Sequence, residues 1–381
     1  HQHYILHVLW AIFCIIVRFI ISRPAICPEI FVMFTHIFWP YNKYLRPEFF
    51  PTRLIYLYTK LYIFWKFLRT KNPLRYTAAN PWFDLWWLYP TSKYESLKYI
   101  PKKWLPLTKF IAQANFERQY ISQLIVDSGM WYPCILKPDN GVRGFGIQIL
   151  HSQDEFDRVI NNFVQSNKQR WDYLLQEFVS HPEEYGIMYI RMPDADTWSI
   201  LGMVKKEFVS IHWDGVSTLE QLIHAHPRAR YHFPLFAEQF AATWTKTLPK
   251  WEMIDVVETW THSRGSTFLD ASHLVTDELV SVIDEISQQV EWFYCGRFDV
   301  KAHDIDWLLA GEFKIMELNM TYSEPTWMYD PSYSFVDQQQ ILLWYWKLVY
   351  DISIKNHALG VPYATLSERY VASSEYNRHV E

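Results

Sequence analysis

Residues 134–150, CILKPDNGVRGFGIQIL, decide how the rest of the chain reads. Tyr132 to Lys137 is apolar up to its final lysine and reads as a strand; Ile147 to Leu150 reads as a second strand. The turn between them is rich in glycine. Only 11 of the 381 residues are glycine, and Gly141, Gly144 and Gly146 fall together here. Glycine lets backbone N–H groups approach phosphate oxygens, and Lys137 adds a point charge at the strand end. No Gly-Lys-Ser/Thr follows, so this is not a Walker loop. A strand rather than a helix comes next, so it is not a dinucleotide fingerprint. Alone, the segment reads equally as a glycine-rich hairpin with a surface lysine.

Downstream, Asp172 to Val179 contains LLQEFV and reads as a strand that leaves for a loop around Glu184-Tyr185-Gly186. A strand end exposes backbone groups that can pair with a purine edge, and a nearby glutamate suits ribose hydroxyls. Trp198 to Phe208 reads as another strand. Thr276 caps a helix whose Leu279, Ile283, Ile286, Val290 and Phe293 keep helical spacing. Two strands then follow, Arg297 to Lys301 and Phe313 to Asn319, spaced for an antiparallel hairpin. Period-two alternation puts Arg297 and Asp299 on one face and Glu317 and Asn319 on one face. Asp, Glu and Asn are hard oxygen donors that suit Mg²⁺ shared with phosphates. An arginine beside them suits charge on a transferring phosphoryl group. Either strand alone reads equally as an ordinary solvated face.

Upstream, a helix is expected from Lys109 to Ser128, closed by Gly129, and Ser152 with Glu155 suggests a capping box opening a helix over 154–164. Leu54 to Leu68 (LIYLYTKLYIFWKFL) reads as an amphipathic helix, and Tyr4 to Ser22 is almost wholly apolar. Residues 1–71 hold nine Lys/Arg against two Asp/Glu, while the whole chain is −5. Two readings stay open for residues 1–70: contact with a membrane surface, or an ordinary buried helical layer. Half the residues are hydrophobic and a fifth charged, which excludes a disordered or collagen-like chain. Cys14, Cys27, Cys134 and Cys295 show neither metal nor redox spacing, so a reducing, cytoplasmic setting is expected, with or without contact to the inner face of a membrane. Nucleic acid is not an expected partner, because the body is acidic and the basic part is too apolar for a phosphate-tracking groove.

In order and spacing, ILKPDNGVRGFGI, LLQEFV, GRFDV and IMELN together resemble the ATP-grasp superfamily. The likeness is to its D-alanine–D-alanine ligase and carboxylate–amine ligase branch. PEEYGIMYIRMP, DGVSTLEQLI, HSRGSTF, ELNMTYSEPTWMYDP, EFFPTRLIYLY and AANP resemble a poorly characterised bacterial set within it. The resemblance covers roughly residues 46–360. It implies an α+β ATP-grasp fold, two α+β subdomains clamping ATP, with an aromatic-rich helical N-terminal extension. Within it are expected a helical and aromatic region over 46–128 and the ATP-grasp domain over 129–360; outside it lie a hydrophobic segment over 1–45 and a tail over 361–381.

By position, the resemblance implies that Lys137 contacts the α/β phosphates and that Gly141, Gly144 and Gly146 close over the triphosphate. Gln176 or Glu177 and the backbone to Val179 would hold adenine, and Glu184 the ribose. Lys206, or its neighbour Lys205, would reach the phosphates. Asp299, Glu317 and Asn319 would hold two Mg²⁺, with Mn²⁺ as a substitute ion, and Arg297 would steady the acyl-phosphate. Arg191, His262, Arg264, Tyr322 and Glu324 are candidates for the substrate. The implied reaction joins a small-molecule carboxylate to an amine with release of ADP and phosphate. Two other uses of the same residues stay open: a phosphotransferase, and an ATP-binding membrane-associated protein without turnover.

Overall fold

The antiparallel hairpin expected near the C-terminal end is present in the computed structural model, with Asp299 opposite Glu317 and Arg297 opposite Asn319. The structure describes residues 46–81, 92–140, 146–165, 171–194, 198–256 and 265–371. In chain order the strands are β1 (Thr108–Ile111), β2 (Cys134–Pro138), β3 (Gln148–Leu150), β4 (Tyr173–Glu177), β5 (Glu183–Arg191) and β6 (Trp198–Glu207). Then come β7 (Ser210–His212), β8 (Met253–Asp255), β9 (Thr267–Asp270), β10 (Cys295–Ala302) and β11 (Phe313–Asn319). Helices and antiparallel sheets mix without βαβ alternation, so the class is α+β.

The chain divides into two compact units, and the larger comprises Ile63–Glu207, Thr259–Trp327 and Trp344–Glu381. It holds a four-stranded sheet, β1-β4-β2-β3, and a five-stranded sheet, β11-β10-β5-β6-β9. Each sheet has one apolar face covered by helices. On the first, Cys134, Leu136, Tyr173 and Leu175 pack on Ile121 and Ile125 of the helix Arg118–Ser128 and on Phe156 and Ile160 of the helix Gln153–Gln165. On the second, Tyr185, Ile187, Tyr189, Phe298 and Val300 pack on Leu279, Ile283 and Ile286 of the helix Asp277–Gln288, with Val290 and Phe293. All five residues expected on that helical stripe are fully buried, each contributing about 2 kcal/mol of apolar burial. Strand alternation then turns Lys137 and Gln176 on one sheet, and Glu184, Gly186 and Met188 on the other, away from the helices.

Two local expectations are corrected. The helix begins at Arg118, because Thr108–Ile111 pairs with β4 as an edge strand; a β-branched and aromatic tetrapeptide follows the partner it meets. Glu184-Tyr185-Gly186, expected in a loop, belongs to Glu183–Arg191, the central strand of the five-stranded sheet. Its opening glutamates and Gly186 hide a strand buried on both faces, which lacks polar alternation. Gly129 does close the helix before β2, at φ 69°. β1 and the helix Arg118–Ser128 share a sheet and a core with β2 and β4, so that layer draws on residues to both sides of position 129.

The smaller unit comprises His1–Tyr62, Phe208–Glu258 and Met328–Leu343. It pairs β7 with β8 and closes a core of Ile211, Trp213, Leu219, Ile223, Phe236 and Val256. Thr218 and Gln221 form a reciprocal capping box on the helix Leu219–Ala225. The buried Glu48 carboxylate pairs with Arg228 at 3.0 Å, tying the segment after residue 46 to this core. The apolar segment at 1–45 lies outside the described residues. Among the described residues, no helix is long and apolar enough to cross a membrane.

Candidate active site

The register of the five-stranded sheet places charged side chains in rows on the face away from the helices. Phe268, Lys206, Glu184 and Lys301 form one row across β9, β6, β5 and β10. The next is Asp270, Val204, Gly186, Asp299 and Glu317, and the third is Gly202, Met188, Arg297 and Asn319. Sequence spacing within one strand gives the face, and only this pairing brings the rows together.

Asp299 is the hub. Its carboxylate takes Arg297 side-on, Nε to Oδ1 at 2.9 Å and Nη2 to Oδ2 at 3.1 Å. Lys206 Nζ lies 3.2 Å from Oδ1, and Asn319 donates from Nδ2 to Oδ2 at 3.1 Å. Lys206 also donates to Glu184 Oε1 at 2.6 Å. Burial pushes the Asp299 carboxyl up, but the Arg297 and Lys206 charges outweigh it and hold it at about 2. Burial also opposes the charge on Lys206, and Asp299 and Glu184 override it, raising its proton affinity. For Glu184 burial dominates and its carboxyl is raised despite Lys206. Gly186 makes the arrangement possible. A Cβ there would sit 2.9 Å from Val204 Cγ1, 3.1 Å from Arg297 Cδ and 3.2 Å from Asp299 Oδ1.

Lys137 comes from the other sheet. Its buried Nζ donates to Gln176 Oε1 at 2.9 Å and to the Met316 carbonyl of β11 at 3.4 Å. Desolvation lowers its proton affinity to about 8, with Glu317 the main charge opposing that. Gln176 is fully buried and donates in turn to Thr108 Oγ1 at 2.8 Å, so its side chain orients Lys137. Val179 offers its carbonyl to Lys301 Nζ at 2.9 Å, and Glu177 bonds through its backbone N–H to Leu107.

Sequence reasoning missed two cations. Lys93 lies 3.4 Å from Glu317, presented by a short helix, Lys93–Leu97, whose Tyr94 N–H is held by the buried Asp139 carboxylate at 2.9 Å. Nothing in its local sequence marks it. Lys301 shares the alternation of Arg297 and Asp299 and was legible from that spacing. Cations and carboxylates are matched here: Lys93, Lys137, Lys206, Arg297 and Lys301 against Asp139, Glu184, Asp270, Asp299 and Glu317.

The remaining candidates divide. Lys205 points to the other side of β6, where it pairs with Glu183, so Lys206 is the lysine of this site. Glu324 joins through its backbone carbonyl, which accepts from Arg297 Nη1 at 2.9 Å. Arg191 is not brought in: it shares the helix-covered face of β5 by alternation and donates to the Phe293 carbonyl. Tyr322 packs edge-on against Tyr76 and Trp346. Gly146 holds φ 75° beside Pro138. Gly141, Gly144, His262 and Arg264 lie outside the described residues.

Asp299, Glu317 and Asn319 carry hard oxygen donors, and in this structure both Asp299 oxygens are engaged by Arg297, Lys206 and Asn319. Two opposed carboxylates and a neighbouring amide oxygen suit an ion that completes its octahedron with water and phosphate oxygens. Among the described residues, no cluster of three His, Cys, Asp or Glu could enclose a metal by itself.

No family model and no curated protein sequence matches the chain. Among solved structures, it is similar to a D-alanine–D-alanine ligase from Bacillus anthracis at 12% identity and TM-score 0.41, over 76% of this chain and 72% of that one. A D-Ala:D-Ser ligase from Enterococcus faecalis gives 14% and 0.36, over 72% and 64%. A bifunctional glutathione synthetase from Pasteurella multocida gives 12% and 0.36, over 67% of this chain and only 36% of that one. At these identities and scores, the argument for chemistry rests on the residues.

Proposed function

We propose that the chain is an ATP- and Mg²⁺-dependent ligase that joins a carboxylate to an amine. The observation that carries this is the placement of Lys206 and Arg297 on one face beside the oxygen donors Asp299, Glu317 and Asn319. Fixed cations beside hard oxygen donors suit a nucleoside triphosphate that arrives with its metal ion. The ordered motifs ILKPDNGVRGFGI, LLQEFV, GRFDV and IMELN support the ATP-grasp reading beside it.

In this reading Lys137, Lys93 and Lys206 bind phosphate oxygens, and Glu184 takes ribose hydroxyls. Asp299, Glu317 and Asn319 would hold Mg²⁺, which neutralises charge on the transferring phosphoryl group. A substrate carboxylate oxygen attacks the γ-phosphorus, and ADP leaves. The amine then attacks the acyl carbon and loses a proton, and phosphate departs. The amide, ADP and phosphate balance the acid, the amine and ATP. Arg297, locked on Asp299 and the Glu324 carbonyl, stands where charge develops on the acyl-phosphate. The protein contributes positioning and charge rather than a covalent nucleophile.

The test is ADP release from Mg·ATP with pooled amino acids, dipeptides and small carboxylic acids, using Glu317→Gln as control. Release that needs both an acid and an amine and is lost in the control supports the ligase. Release needing only one acceptor makes the site a phosphotransferase, and saturable binding without release makes it a non-catalytic binder.

A further inference from the structure

The helix Leu57–Thr70 carries an apolar stripe that the other described residues leave exposed. Leu61, Phe64 and Leu68 are 55%, 56% and 60% exposed, and Leu57, Tyr58 and Trp65 are exposed beside them. At 3.6 residues per turn, Leu57, Leu61, Phe64 and Leu68 fall within a sector of about 60°, with Tyr58 and Trp65 along one margin. The opposite side is the packed one: Thr59 is buried in the helix, as is Ile55 just before it. Lys60 borders the stripe on one flank and Arg69 on the other, with the Arg69 guanidinium 4.2 Å from the Trp65 ring. From residue 52 to 71 the chain has five Lys/Arg and neither Asp nor Glu.

We propose that this face docks on an anionic lipid bilayer, lying in the interface with the stripe in the acyl boundary and the cations at the headgroups. The pattern of Leu and Phe in the middle, Trp and Tyr at the margin and Lys and Arg on both flanks is that of an interfacial helix. At 14 residues the helix is about 21 Å long, too short to cross about 30 Å of hydrocarbon, so it lies on the membrane rather than through it. Charge selects the occupant. Lys60 and Arg69 beside the stripe oppose a second copy of the same face, whereas acidic headgroups neutralise them. A ligase held this way meets its substrates at the membrane surface.

The test is co-sedimentation of the full chain with vesicles of phosphatidylcholine plus phosphatidylglycerol, against phosphatidylcholine alone. The chain is expected to partition onto the anionic vesicles, and high salt to weaken it. Leu61→Glu with Phe64→Glu should abolish binding. Lys60→Ala with Arg69→Ala, which keeps the stripe, should weaken it about 30-fold. Mg·ATP binding should be unchanged in both pairs, which separates this proposal from the reading of the nucleotide site. Failure to bind anionic vesicles, indifference to phosphatidylglycerol, or native binding by both pairs would each overturn it. So would a dimer that Leu61→Glu with Phe64→Glu dissolves, since the face would then belong to a second copy.

Discussion

Lys137 is a cation in a place that resists cations. Burial brings its proton affinity down to about 8 from the ordinary 10.5, so between those pH values the unfolded chain holds a proton that the native chain has released. Native stability without nucleotide should therefore rise as pH climbs from about 8 toward 10, and its cost is full below 8. Nucleotide affinity should move the other way, weakening roughly tenfold over the same window as the charge is lost. Lys137→Arg should flatten that affinity profile, measured by nucleotide titration at pH 7 and 9.5. Asp299, held at about 2, stays ionised at all these pH values, and its stabilisation is lost only as pH falls from the ordinary carboxylate range through 2. Asp299→Asn should cost about 3–5 kcal/mol in urea unfolding, because Arg297 loses its two-point partner in a buried site. Glu317→Gln should abolish turnover and leave the urea midpoint within about 1 kcal/mol, since its pair with Lys93 is partly open to solvent. Equal stability losses in the two variants would contradict the contrast between the buried Asp299 hub and the partly open Glu317 carboxylate.

Among the elements, β5 does most to shape the site, and it is the one the sequence concealed. Gly186 leaves room for the Arg297 and Asp299 side chains to lie across the strand. Gly186→Ala should cost about 1–3 kcal/mol through overpacking and lower kcat more than it raises KM, because the displaced side chains are those assigned to the phosphoryl group. Steady-state kinetics beside thermal unfolding checks this; unaltered kcat would mean the face has slack that the 2.9 Å approach to Val204 denies. The β10–β11 hairpin is anchored from outside by Asn80. Its Oδ1 accepts from Tyr294 and Cys295 N–H, and its Nδ2 donates to the Cys295 carbonyl and Thr321 Oγ1. That explains the polar residue in the AANP stretch: one buried amide fixes the start of β10 and the exit of β11.

At the scale of the molecule, every described residue of the candidate site belongs to the larger compact unit. Hydrogen exchange with saturating Mg·ATP should therefore show its greatest new protection in β2, β4, β5, β6, β10 and β11. Nucleotide at about a hundred times its Kd should add about 2.7 kcal/mol of stability to the native chain. Protection centred instead on residues 208–256 would move the nucleotide to the smaller unit and overturn the assignment.

The sequence by itself determined what is local. The strand that carries Lys137, the helix opened by Thr276, the burial of its apolar stripe, and the pairing of GRFDV with IMELN all follow from alternation and caps acting over a few positions. Only the tertiary structure decided what depends on register and burial. It separated Lys206 from Lys205, brought in Lys93, left Arg191 on the far face, made Gln176 a support for Lys137, and turned an apparent loop into the central strand. The physical reason is that a residue's face and charge partner are set by the strand beside it, which lies tens of residues away in the chain.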